Sequence, residues 1–251
     1  MLALICSDVL KLRRRRGMLA ISLLLTAGLM AVAFVVMAVQ HGGNPAKFGP
    51  AGGLENYRED IAVVTLMAMV VGTIIGATAG TQDIESGVFR DLAATGRSRM
   101  ALFASRVAGA WAVVLSILAV TAGLTAAGCV VLAGSLAAPG AGAIVAGMTA
   151  VLVAGALSAA VAVGVSALVG SRGPVIGIML AFYLAVQNVV LAMGFLGGGR
   201  QILPDVALRR IGDLEPLGDV HIGLGAAILV VVAWSAITLG LGAWRTRTRE
   251  I

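Results

Sequence analysis

The sequence predicts an all-α integral membrane protein with six transmembrane helices. Three observations carry that reading. The 251 residues are 59% hydrophobic and only 12% charged, with a mean hydropathy of +1.02. Soluble chains are about a quarter charged, so lipid must be the solvent for most of this apolar surface. The apolar residues fall into six runs, each near the roughly 20 residues that an α-helix needs to cross a bilayer. The Lys and Arg residues divide unevenly between the loops, as they do where positive charge fixes topology.

The expected spans lie at about 18–39, 61–80, 100–124 (with an apolar extension toward 132), 143–169, 174–196 and 222–244. No repeat and no soluble domain interrupts them, so residues 1–251 read as one transmembrane domain. The first span follows a basic run, as a secretory signal would. It is too long for one, and AVQHGG offers no small-x-small cleavage site, so it reads as a retained anchor.

With the N-terminus inside, the inner segments hold Lys11, Arg13 to Arg16, Arg90, Arg97, Arg99, Arg106, Arg172, Arg245, Arg247 and Arg249. The outer segments hold only Lys47, Arg58, Arg200, Arg209 and Arg210. Thirteen against five predicts that both termini are cytoplasmic, in a cell (plasma or inner) membrane. Cys6 and Cys129 then lie toward opposite faces, so no disulfide is expected.

Residues 1–16 read MLALICSDVLKLRRRR. Leu2, Ile5, Val9 and Leu12 recur at spacings of three and four, which predicts a helix lying in the inner interface. In the second span, Gly72, Gly76 and Gly80 stand four apart. Such a stripe allows close backbone approach, either across a dimer or within one bundle. The outer segment 197–221 contains LPDVALRRIG, a short helix with Pro204 at its first position and Gly212 as its stop. GGGR and HGGNPAKFGPAGG read as loops.

Between spans two and three lies QDIESGVFRDLAATGRSR, dense in charge of both signs. On a helix turning by about 100° per residue, Ile84, Val88, Phe89 and Leu92 share a sector, with Asp83, Ser86 and Arg90 opposite. Glu85 falls inside the apolar sector, where a carboxylate is costly unless paired. That placement predicts a helix over about 82–95 that meets a protein surface supplying a cation. Gly96 can end it, and Ser98 can cap the third span.

These residues carry a family resemblance. Glu85 and Gly87, then Leu92, then Thr95, Ser98 and Arg99, with Arg106 seven residues on, resemble the membrane (permease) subunits of type-2 ATP-binding cassette exporters. Val88 and Gly96 depart from the residues common there, Thr and Pro. The resemblance implies that the 82–95 helix is a coupling helix docking into a cytoplasmic ATPase subunit. Glu85, Gly87, Phe89, Arg90, Asp91, Leu92, Arg97 and Arg99 would make that contact. It also implies a second permease copy, as a homodimer or a heterodimer, around a central path between spans two and five. Thr65, Met69, Met179, Phe182, Tyr183, Gln187 and Asn188 are the candidate path residues. For Gln187 and Asn188, near the middle of the fifth span, a helix–helix hydrogen bond is the competing reading.

No phosphate loop of the form G-x-x-x-x-G-K-[ST] accompanies Lys11 or Lys47. The chain is therefore expected to be no enzyme and to bind no cofactor, with ATP and Mg on the partner ATPase. No nucleophile elbow or metal-ligand cluster supports catalysis, and charge placement points to a membrane surface rather than to nucleic acid. No acidic or basic residue falls mid-span, which argues against an ion-coupled carrier. The expected function is export of a hydrophobic or amphipathic compound, of drug, antibiotic or lipid-like character. A non-transporting interaction or immunity protein, or a secondary carrier, is the alternative.

Overall fold

A computed structural model of the protein describes residues 1–87 and 98–248. The described residues are helical throughout their ordered elements, with no strand among them. Helix α1 (Leu2–Arg14) precedes six helices long and apolar enough to cross a membrane. These are α2 (Arg16–Gly43), α3 (Leu54–Glu85), α4 (Arg99–Val131), α5 (Ala141–Val169), α6 (Arg172–Ala192) and α8 (Leu224–Thr248). Between the last two lies the short α7 (Pro204–Ile211).

The bundle is built around α3 and α5. Within their most apolar stretches 67% and 72% of residues are buried, against 17% for α2, 22% for α6 and 6% for α8. The reason is the small-residue stripe. A Cβ at Gly72 would lie 2.6 Å from the Gly155 carbonyl oxygen, and one at Gly76 2.5 Å from that of Ala159. One at Gly80 would lie 2.7 Å from Ser166 Oγ. The stripe is thus spent on packing inside one chain, because lipid gives helices no hydrophobic reason to associate and close backbone contact must supply the attraction. Gly164 of α5 meets Gly242 of α8 the same way, a Cβ at Gly242 falling 2.8 Å from the Gly164 Cα.

Several element bounds differ from the sequence expectation. The second span does not end at Gly80. Its helix continues through Glu85, with Thr78 and Thr81 hydroxyls bonded to the carbonyls four residues back. It stops at Ser86–Gly87, where Gly87 takes φ +74°, a left-handed conformation that glycine accepts without a steric cost. Residues 82–85 therefore belong to the end of a span rather than to a separate helix over 82–95. Gly194–Ile202, expected as the end of span five running into the GGGR loop, forms a 3-10 stretch broken at Gly197 (φ +49°). Helices α2 and α6 each contain a π-turn, at Leu24–Gly28 and Phe182–Val186.

At the far end from α1, the 3-10 stretch and α7 form a cap with its own small core of Leu203, Val206 and Val220. Pro204 opens α7, and Gly212 closes it in ordinary helical geometry rather than in the left-handed form. Arg200 pairs with Asp219 through two hydrogen bonds of 2.9 Å and holds the cap's return loop. The Arg200 hydrogen bond keeps the Asp219 carboxyl below its usual range.

Candidate functional site

The charged residues of the α1 end gather where α1, the end of α3 and the start of α4 meet. Helix α1 places Asp8 and Lys11 one turn apart on its inward side. Lys11 Nζ donates to Asp8 Oδ1 at 3.2 Å and to Asp83 Oδ1 at 3.1 Å. Arg106 Nη2 donates to the other Asp83 oxygen at 3.2 Å, and Ser105 Oγ donates to Asp8 Oδ2 at 2.7 Å. Two anions and two cations thus neutralise one another, with the side chains of Asp83 and Arg106 only 9% and 5% exposed. Burial would lower the Lys11 pKa, but the hydrogen bonds and charges of Asp83 and Asp8 outweigh it and raise it above its ordinary value.

Beside this cluster, Glu85 accepts a hydrogen bond from the backbone N–H of Arg172 at 2.5 Å. That N–H opens α6, and Ser171 at its N-cap makes no side-chain bond of its own. A carboxylate is well matched to an unsatisfied helix N-terminus, where donors and the helix dipole both favour negative charge. Among the described residues, the positive group that the exposed Glu85 meets is this helix end of the same chain. Ser98 caps α4 as expected, its side chain accepting from Ala101 N at 3.1 Å. Arg99 donates to the Arg247 carbonyl oxygen at 3.3 Å, joining the start of α4 to the end of α8. Phe89, Arg90, Asp91, Leu92 and Arg97 lie outside the described residues.

The candidate path residues do not share one environment. Thr65 and Met69 of α3 and Met179 and Tyr183 of α6 are all buried in the interior of the bundle, at 4% exposure or less. The Thr65 hydroxyl has no hydrogen-bond partner there among the described residues. Phe182 sits at the margin of this interior, its ring 5.5 Å from Tyr183 and 5.3 Å from Trp234. Gln187 is also buried, and its Oε1 accepts from the backbone N–H of Asp205 at 3.3 Å, tying α6 to the first turn of α7. The π-turn at Phe182–Val186 brings Gln187 onto this inward side, while Asn188 is exposed and bonds only the Leu184 carbonyl of its own helix.

A family model described as ABC-2 family transporter protein matches residues 4–188. The match takes in α1, the first five spans up to Asn188 and the whole charged segment. The chain belongs to the ABC-2 transporter family. No curated protein is found to match it. As an ABC-2 family member it is a multi-pass membrane component of a transport system, and its family is not that of the ATPase itself.

The sequence reading did not single out Asp8, Lys11 and Asp83 as a group, and it placed Asp83 in the helical sector opposite the apolar one. The available signal was weak: an acid and a base three residues apart in α1, an acid just beyond the second apolar run and a base near the start of the third. Only the fold shows that the α1 pair reaches an acid 72 residues away.

Proposed function

We propose that this ABC-2 protein is the permease subunit of an ATP-driven exporter, paired with a second permease copy and driven by a separate cytoplasmic ATPase that holds ATP and Mg. Its cargo is a hydrophobic or amphipathic compound, and its place is the cell membrane with both termini in the cytoplasm. The family supports the permease role, and the division of thirteen basic residues against five supports the orientation.

The observation that carries the reading is the Glu85–Arg172 bond. The segment that follows Glu85 is anchored at its start to span five and, through Ser98 and Arg99, to spans three and six. A soluble subunit pressing on residues 88–97 would therefore act on several spans at once, as coupling requires. In this reading Gly87, Phe89, Arg90, Asp91, Leu92 and Arg97 meet the ATPase, while Glu85 and Arg99 pass the load on within the permease. Thr65, Met69, Met179, Tyr183 and Gln187, closed within the single chain, reach the cargo only if the helices around them part during the cycle. Phe182 and Asn188 are open to it without that movement.

The test is to tag the chain, extract it gently from its native membrane and identify what co-purifies. A P-loop ATPase in equal amount supports the reading. A clean preparation without one overturns it. Glu85→Arg, which sets a cation against the positive end of α6, is expected to leave insertion and ATPase binding intact and to abolish coupled hydrolysis.

A further inference from the structure

Helix α1 is docked in an unusual manner for a helix beside a membrane bundle. Of its apolar side chains only Leu12 is fully buried, at 1% exposure, while Met1, Leu2 and Leu10 are 62%, 79% and 55% exposed. Beside Leu12 and the part-buried Val9, which join the core, its contact face is ionic: Asp8 and Lys11 reach Ser105 of α4 and Asp83 of α3. Gly109 permits the approach, since a Cβ there would lie 2.9 Å from the Asp8 Cβ. A buried ion network costs desolvation and is a poor source of stability, but each charge accepts few geometries. Hydrophobic burial alone would let α1 slide; the charges hold it in one register.

Asp83 is the centre of this arrangement. It joins Lys11 of α1 to Arg106 of α4, and it stands on the last turn of α3, just before Glu85 and the Gly87 turn. We propose that Asp83 is a positioning residue for coupling: by clamping Lys11 and Arg106 together it makes α1, the end of α3 and the start of α4 move as one body. A displacement of the end of α3 or the start of α4 is then delivered to α1 and the membrane surface beneath it, and not only to the spans. The proposal rests on the reading of the chain as an ATP-driven permease.

The experiment uses the permease co-purified with its ATPase in lipid nanodiscs. Nitroxide labels are placed on the native exposed Cys6 of α1 and on Leu136→Cys, an exposed site beyond the far end of α4, in a chain diluted with an excess of Cys6→Ser chain so that most permease pairs carry one labelled copy. Pulsed electron spin resonance reads the distance without nucleotide and after trapping with ATP and vanadate. In the otherwise unaltered chain one narrow distance is expected in both states. In Asp83→Asn the trapped state is expected to gain a second, separate distance as α1 lags behind α4, with Asp83→Glu restoring the single one. Lys11→Met, which leaves the Asp83–Arg106 pair in place, should behave like Asp83→Asn and serves if that variant does not insert. A distance that changes on trapping in the unaltered chain would show that α1 is not part of the moving body. A single distance in both states of Lys11→Met would show that the clamp holds nothing. Absence of a co-purifying ATPase would instead sink the permease reading, before any distance is measured.

Discussion

A single carboxylate, Glu85, is the clearest case of a residue whose chemistry was legible while its partner was not. The helical pattern set it in an apolar sector and called for a positive counterpart; among the described residues Glu85 is exposed and meets the N-terminus of α6. Removing such a cap costs about 0.5–2 kcal/mol, whereas Glu85→Gln keeps the acceptor and loses only the charge–dipole part, about 0.3–1 kcal/mol. Thermal unfolding in detergent should therefore rank the unaltered chain above Glu85→Gln, and Glu85→Ala below both. Equal stability of Gln and Ala variants would mean that the bond does not hold α6. Lys11 makes a prediction about pH. Its folded pKa lies above the ordinary 10.5 through Asp83 and Asp8, so folding favours its protonated form. The resulting stabilisation is complete below 10.5 and is lost as pH rises through the higher folded value. The mobility of a spin label on Cys6 should thus stay constant through the neutral range and increase only in strong alkali. An increase between pH 6 and 8 would count against Lys11 as the docking cation.

Elements were legible to different degrees, for physical reasons. The six apolar runs are readable because lipid demands about 20 such residues whatever the tertiary structure. The end of α3 was not, because its last turn is polar and resembles the start of a separate helix; only the left-handed Gly87 marks the break, and glycines are too common here to weigh one in advance. The Gly72–Gly76–Gly80 stripe had two possible partners by sequence. Its true partner, the Gly155–Ser158–Ala159–Ser166 side of α5, is spelled in equally ordinary small residues. Packing at this seam makes a prediction for the element. Gly76→Leu forces a large side chain against the Ala159 backbone, and overpacking of this kind costs about 1–3 kcal/mol or more. The variant should lose monodisperse elution in mild detergent. Gly142→Leu, on the same scale of volume but with nothing within 4 Å, should elute as the unaltered chain does. The candidate path was the least legible part, since Met and aromatic residues in spans two and five suit a packed interior as well as a lining, and the fold places Met69, Met179 and Tyr183 in the interior.

For the whole molecule the sharpest claim is orientation, because every coupling argument needs residues 82–99 on the side where an ATPase can reach them. The fold places Asp8, Lys11, Asp83, Glu85, Arg106 and Arg172 at one end of the bundle through hydrogen bonds and ion pairs, with Cys6 two residues before Asp8 on α1. The opposite end holds Gly53 against the Cys129 carbonyl and Leu54 against that of Ala137, with the α7 cap beside them. In the proposed orientation, which rests on the excess of Lys and Arg, the first end faces the cytoplasm. An impermeant maleimide applied to intact cells should therefore label Leu136→Cys and Lys47→Cys, and should reach Cys6 only after the membrane is opened. Both engineered positions are exposed, and Cys129 is buried and should remain unlabelled throughout. Labelling of Cys6 in intact cells, with Leu136→Cys and Lys47→Cys protected, would invert the protein. The charged segment would then face away from any cytoplasmic ATPase, and its hold on span five through Glu85 would be a packing contact with no drive behind it.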